Sequence, residues 1–449
     1  MTDTPPGTRS DQPRSVPSSG LKRGFEALGI RNYRLYWWGQ VLSLIGTWMQ
    51  QVSLPWLVLA LGGSPIQLGI VAVLEFGPAG VLAPFGGVFA DRIDKRRALM
   101  MTQAAAAAQS LVLVLLTFTG TISIPLVMVM AFALGLVNAI DMPVRQSLAP
   151  DLVPRNILAN AIALNSMAFN TARVVGPALA GVIIATATQI TGSVLTGIGV
   201  NLSINVISYA AVLTGLFLMD PRRIRRHEQP EHHPPVVESL KEGFHYAVRT
   251  PLVLWCLVLL GGIAAFGFNF QILLPLFAQN VLGLGADGYG ALYAVMGAGS
   301  LAGAFTLAYM RQRRAIFLML GGGAVFAVLL VAIALSRSVW VAAPFVLLAG
   351  YSSMLMINTI NATVQANVTD ALRGRVMSFY VTVFAGSAPL GSLFAGAVAE
   401  LWGTPIAFLA GAVLSAATVI VVALGLRGAA SRGSLGVTRL DTATSGSRA

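Results

Sequence analysis

The sequence predicts an all-α membrane protein with twelve transmembrane helices arranged as two six-helix pseudo-repeats. Three observations predict it: an apolar composition, apolar runs of span length placed almost end to end, and an internal repeat. Of 449 residues, 56% are hydrophobic and 10% charged, and the mean hydropathy is +0.75. An average soluble domain carries about 25% charged residues, so the main solvent of this chain is lipid.

A helix of about 20 apolar residues crosses a hydrocarbon core of about 30 Å. Such runs lie at 33–61, 66–90, 97–119, 124–148, 157–187 and 193–218, then at 251–281, 286–310, 314–335, 338–365, 372–399 and 403–426. Barrel strands would be about 10 residues long with alternating polarity, and these runs do not alternate. The single cysteine, Cys256, excludes an internal disulfide and a cysteine-cluster metal site.

The net charge of +12 would suggest nucleic acid if the basic residues lay on a folded soluble face. Instead they sort between spans. Lys22, Arg23, Arg31 and Arg34 surround the start of the first span, and Arg92, Lys95, Arg96 and Arg97 join the second to the third. Arg145 and Arg155 follow at the fourth, Arg222 to Arg249 after the sixth, and Arg311, Arg313 and Arg314 after the eighth; the alternate connections hold only Arg337. The positive-inside rule then makes both termini cytoplasmic in a multi-pass inner (plasma) membrane protein. The expected organisation is a cytoplasmic tail at 1–32, a half at 33–218, a polar cytoplasmic linker at 219–250, a second half at 251–426 and a disordered tail at 427–449. All four histidines fall in the linker, where a solvated segment is the expected reading, with Glu231-His232-His233 as a weak metal-binding alternative.

The repeat supports that division. Leu54-Pro55 returns as Leu274-Pro275, Arg97-Ala98 as Arg314-Ala315, Asp151 as Asp370, and the glycine pair Gly176 and Gly181 as Gly391 and Gly396, all about 215 to 220 residues apart. With six spans in each half the two copies share one membrane orientation, and a central pathway between them is expected.

The densest motif, Gly86-Gly87-Val88-Phe89-Ala90-Asp91-Arg92-Ile93-Asp94-Lys95-Arg96-Arg97, joins the second and third spans. A positive-inside anchor explains its basic residues but not its Gly-x-x-x-Asp-Arg. That pattern resembles the cytoplasmic loop signature of the major facilitator superfamily, through Gly87, Asp91, Arg92, Arg96 and Arg97, with Asp94 where the superfamily usually has glycine. The second copy, Gly303 to Arg314, has Ala308 in place of the aspartate. Trp48-Met49-Gln50, Pro55-Trp56, Asp141 to Gln146, Asn165 to Asn170 and Ala172 to Pro177 sharpen the resemblance to the enterobactin-exporter-like branch, which handles drugs and siderophores. The resemblance implies a cytoplasmic gate built from Gly87, Asp91, Arg92, Arg96 and Arg97 with Asp141 and Arg145. It makes Arg145 a partner for Asp91; the residues themselves equally suggest a local Asp141–Arg145 salt bridge, four apart on one helical face. It also implies an interface helix at Gly176, Pro177 and Gly181, a partial form of the exporters' motif because Ala172 and Ala180 replace glycines.

Glu75 and Arg173 are the ionisable groups deep inside spans, at matching depths of about 24 to 27 Å from the cytoplasmic ends. An intramembrane charge is costly and is normally paired or functional. The two are candidates for a proton-responsive pair, a static packing pair, or separate groups facing a wet cavity. Gln40, Gln50, Gln51, Asn165, Asn269, Gln271, Asn358, Asn361 and Gln365, with Phe266, Phe270, Tyr380 and Phe384, are candidates for an amphipathic substrate cavity as a group, each alone being more often interhelical glue or lipid-facing bulk. Gly283 to Gly288 fits Gly-x-Gly-x-x-Gly but reads as a turn, and no lysine stands in a Walker loop.

The expected function is secondary transport: proton-coupled export of small amphipathic molecules, with no cofactor beyond an ion gradient. The expected partners are a small-molecule substrate and membrane lipid, not nucleic acid, for a chain acting as a monomer. Uptake or facilitated diffusion, and a non-transporting membrane sensor, are the alternatives. No catalytic constellation is visible, so an enzyme is not expected.

Overall fold

Each apolar run becomes a helix because an isolated backbone in lipid must satisfy its own N–H and C=O groups. The computed structural model describes residues 24–224, 236–309 and 315–432; within these, the side chains of 83–92, 236–237, 239–240, 308–309 and 370–371 lie outside the description. After a 3₁₀ turn at Glu26–Gly29, the first half comprises α1 (Arg31–Ala60), α2 (Pro65–Arg92), α3 (Lys95–Phe118), α4 (Ile124–Asp151), α5 (Leu158–Thr191) and α6 (Val194–Phe217). A linker helix, α7 (Val236–Arg249), leads to α8 (Pro251–Phe266), α9 (Phe270–Asn280), α10 (Ala286–Tyr309), α11 (Ala315–Leu335), α12 (Val339–Ala366), α13 (Asp370–Trp402) and α14 (Thr404–Ser431).

Among the described residues, eleven helical spans are long and apolar enough to cross a membrane. The remaining expected span, α1, is 30 residues long but diluted by Asn32, Gln40, Gln50 and Gln51, which it buries or half-buries against its neighbours. The halves repeat one packing. In the first, α2 lies on α4, α3 on α4 and α6, and α1 on α5 and α6; in the second, α10 lies on α12, α11 on α12 and α14, and α8 on α13 and α14.

Two expectations are corrected. The seventh span is not one helix: it breaks at 267–269, where Asn269 precedes α9 and its Nδ2 donates to the Ala265 carbonyl at 3.0 Å. That bond supplies a partner to a carbonyl at the break, as lipid requires. The tail expected to be disordered from 427 is helical as far as Ser431, because Leu426 and Ala429 are buried against the bundle; later residues lie outside the described ones beyond 432. The polar linker also holds α7, which packs on α13 and touches α2 and α8. Gly243 permits this approach, since a methyl group there would stand 2.6 Å from the Arg375 carbonyl, and Glu242 pairs with Arg375.

The halves meet along α2 with α13 and along α5 with α10, while α9 touches α1 and α2. Lipid offers little hydrophobic force between helices, so small residues that let backbones approach do the joining. The meeting points run from the loops opposite the termini, where Ile66 N donates to Glu400 Oε2 at 3.3 Å, to mid-helix, where Gly80 faces the Ala385 carbonyl and Gly297 the Arg173 carbonyl.

Candidate functional site

Glycine spacing builds the interface. In α5, Gly176 packs within its own half, where an added methyl would stand 2.5 Å from Trp48 Cβ and 2.9 Å from the Ile45 carbonyl. One turn and a half later, Gly181 faces the other half, where an added methyl would stand 2.9 Å from the Ala286 carbonyl and 3.1 Å from Gly290 Cα. In α13, Gly391 likewise lies against the Ala265 carbonyl of its own half, and Gly396 against Pro65 and Gly69 of the other. The repeat read in sequence is thus a repeated division of labour between two glycines. Pro177 adds its carbonyl to the same contact, 2.5 Å from a methyl on Gly290.

Between these two seams lies a buried polar relay. Glu75 of α2 is 7% exposed; its Oε1 accepts from Gln51 Nε2 of α1 at 2.5 Å. Gln51 Oε1 accepts in turn from Gln271 Nε2 of α9 at 3.1 Å. The relay therefore crosses from one half to the other. Beside it, Gln51, Glu75 and Gln271 line a cavity of about 20 Å³ together with Leu54, Leu68 and Val71, space for about one water.

Glu75 and Arg173 do not form the candidate pair. Each meets helix α1 instead: Glu75 bonds Gln51, whereas the Arg173 guanidinium lies 5.8 Å from the centre of the Trp48 ring. Equal depth along two helices fixes height, not azimuth, and azimuth decides contact. Trp48 also packs edge-on to Phe169 at 5.6 Å and tilted against Tyr293 at 6.3 Å. Trp56 stacks on Tyr289 at 5.8 Å, another contact between halves.

At the terminal face the basic loop has several distinct jobs. Arg96 donates from Nε to the Leu216 carbonyl at 2.6 Å and from Nη2 to the Phe217 carbonyl at 3.0 Å, capping the C-terminal end of α6. Asp94, in the position usually glycine, is the N-cap of α3, its Oδ1 accepting from Arg97 N at 3.0 Å. Lys95 pairs with Asp151 at 2.6 Å. The Arg97 side chain is 78% exposed. The side chains of Gly87, Asp91 and Arg92 lie outside the described residues.

Asp141 is 3% exposed and Arg145 grips its Oδ2 through Nε at 2.9 Å and Nη2 at 2.5 Å. Asp141 Oδ1 accepts from Thr102 Oγ1 and Gln103 Nε2, each at 2.7 Å, and Arg145 Nη1 donates to Gln40. The cluster ties α1, α3 and α4 inside the first half, so here Arg145 is engaged locally.

The candidate cavity residues separate. Gln50 is internal glue, 3% exposed, its Oε1 accepting from Ser110 Oγ at 2.8 Å and Asn205 Nδ2 at 2.5 Å. Asn165 accepts from Tyr33 at 3.2 Å, and Asn269 serves the helix break. Gln271 belongs to the relay. Asn358 is half-buried, Asn361 accepts from Gln365 at 2.6 Å, and Phe384 is 39% exposed. Residue type alone suggested all of these, but not which would be consumed within a half. Trp48, Tyr289 and Tyr293 were not among the candidate lining residues; the four-residue spacing of the two tyrosines, on one face of α10, was the available signal.

A family model described as transmembrane secretion effector matches residues 23–438. The chain is 25% identical over 373 residues to the Staphyloferrin A transporter of Staphylococcus aureus, covering 81% of this chain and 88% of that protein. It is 23% identical over 383 residues to Enterobactin exporter EntS of Escherichia coli O1:K1 / APEC, covering 84% and 86%. Among solved structures, a bacterial homologue of the human lysosomal transporter Spinster, inward-facing and unoccupied, superposes with a TM-score of 0.64 at 18% identity, over 93% of this chain and 98% of that one. A bacterial homologue of the iron transporter ferroportin, inward-facing, gives 0.65 at 16% identity, over 89% and 98%.

Proposed function

Since the chain belongs to the transmembrane secretion effector family of the major facilitator superfamily, we propose that this multi-pass membrane transporter is a proton-coupled exporter of small amphipathic molecules. Siderophores and drug-like compounds are the substrate classes; the names of the staphyloferrin and enterobactin relatives support the former. The reading rests most on one observation, the buried relay from Glu75 through Gln51 to Gln271, which couples an ionisable group to the seam between the halves.

The relay has a direction. An ionised Glu75 only accepts, so Gln51 turns its NH₂ toward the carboxylate and its carbonyl toward Gln271. A proton on Glu75 facing Gln51 makes that oxygen a donor. Gln51 then turns its carbonyl to Glu75 and its NH₂ to Gln271, whose own amide must turn over as well or the contact between halves is lost. A bond of about 1 kcal/mol shifts a two-state equilibrium roughly fivefold, a bias toward one access state.

With the termini in the cytoplasm by the positive-inside rule, the seam formed by the described residues lies on the outer side, which fits a conformation open inward. Rocking to the opposite state closes the cytoplasmic side, where Gly87 and Asp91, with Arg92, Arg96, Arg97, Asp141 and Arg145, form the gate. Arg145 would exchange Asp141 or Gln40 for Asp91. Asn358, Asn361, Tyr380 and Phe384 line the substrate path, and the proton gradient supplies the energy.

The test is efflux of amphipathic dyes and siderophores from energised cells, with and without a protonophore, for the wild type and Glu75→Gln. Protonophore-sensitive efflux that Glu75→Gln abolishes is the expected result. Efflux indifferent to both removes the coupling assignment, and accumulation in right-side-out rather than inverted vesicles overturns export.

A further inference from the structure

We propose that Arg173 anchors an anionic group, with carboxylate as the fitting chemistry, on an amphipathic ligand whose apolar or aromatic body lies against Trp48 and Phe169. The proposal deepens the transport reading and rests on it for the ligand's passage, though not for its binding.

Arg173 lies about 15 residues from the start of α5, ~22 Å along the helix. Arginine stays charged, and a cation at that depth normally finds an anion or a wet cavity. Among the described residues no ion pair reaches Arg173, and its Nε is buried without a hydrogen-bond partner. Its guanidinium lies over the Trp48 face at 5.8 Å, and Trp48 in turn packs against Tyr293. A cation–π contact leaves the guanidinium edge, with its paired N–H groups, available to a planar two-oxygen acceptor.

The surroundings fit the rest of such a ligand. Helical side chains lean toward the helix N-terminus, and for α5 that is the terminal face, away from the joined seam. One turn in that direction stands Phe169, 43% exposed and edge-on to Trp48. The guanidinium thus sits at the inner end of an aromatic surface, on a residue that is half-buried as a whole, where α5 meets α10 through the Arg173 carbonyl and Gly297. A ligand bound there would touch the interface whose rearrangement moves it. The depth argues against a lipid headgroup as the anion, because headgroups stay at the bilayer surface.

The experiment is equilibrium binding to the purified full chain in nanodiscs, without any gradient, of two probes with one body: 1-pyrenebutyrate and the neutral 1-pyrenebutanol. The wild type is expected to bind the acid at least about tenfold tighter, about 1.4 kcal/mol. Arg173→Gln should bind both alike, with its alcohol affinity unchanged, and Arg173→Lys should keep only part of the preference because it lacks the planar fork. Unchanged alcohol binding also shows that the variant is folded; should Arg173→Gln fail to fold, the acid-to-alcohol ratio of Arg173→Lys against wild type decides. Equal wild-type affinities, no binding of either probe, or a preference that survives removal of the guanidinium overturns the proposal. Binding does not need transport, so loss of protonophore-sensitive efflux with this preference intact would refute the coupled-export reading alone.

Discussion

Gly181 of α5 and Gly290 of α10 meet backbone to backbone between the halves: a methyl group on Gly290 would stand 2.8 Å from Gly181 Cα and 2.5 Å from the Pro177 carbonyl. Gly396 and Gly69 repeat the arrangement in the other seam, at 3.4 Å. Two seams of glycine can come together without leaving a ridge to interlock, which suits surfaces that must part and rejoin.

A wedge at this point should hold the halves apart. Gly290→Leu is expected to lower transport at least tenfold while leaving each half folded, because the clash is confined to the seam. The check is flux alongside cysteine labelling at the loops opposite the termini, in a background where buried Cys256 is replaced by alanine; labelling there should rise. Wild-type flux in Gly290→Leu would show that this approach is dispensable.

Removing the middle of the relay should uncouple rather than unfold. Gln51→Leu takes away the group that bonds both Glu75 and Gln271, so residual flux should lose most of its dependence on an imposed pH difference. Flux measured in proteoliposomes across a range of gradients decides this; a dependence as steep as that of the wild type would place the proton elsewhere.

The Asp141–Arg145 cluster should matter for stability. Breaking a buried pair by deleting one partner strands the other charge, at about 3 kcal/mol or more, so Asp141→Ala should lower Tm in detergent substantially. The double variant Asp141→Ala with Arg145→Met should recover much of that loss. Additive losses would mean that the two side chains act independently.

Asp94 offers a smaller, graded test. As the N-cap of α3 its replacement by alanine should cost about 1 kcal/mol, and by glycine only a few tenths. Thermal shift should therefore rank wild type, Asp94→Gly and Asp94→Ala in that order. If Asp94→Gly is the least stable, the cap is not the reason for the aspartate.

The spans were legible because lipid enforces one rule on every stretch of backbone: α4 was expected at 124–148 and runs to Asp151, and α10 at 286–310 runs from Ala286 to Tyr309. The break in the seventh span was not, since Gly267 and Asn269 are compatible with an uninterrupted helix until Phe326 packs against the glycine. Nor was the composition of α1 a sign of its position. Its glutamines resemble cavity residues, yet Gln50 turns into its own half and Gln51 toward the other, a separation of about 100° per residue that only the neighbours make meaningful.

Sequence alone determined the class of solvent, the approximate position of each span, the pairing of Gly176 and Gly181 with Gly391 and Gly396, and the height of Glu75 and Arg173 along their helices. All of these follow from local chemistry: hydropathy, helical rise and repetition along one chain. The tertiary structure decided which groups touch: Glu75 with Gln51, Gln51 with Gln271, and Arg173 with Trp48. The rotation of each helix about its axis is set by packing against helices hundreds of residues away, and that rotation carries a side chain at a given depth toward one partner or another.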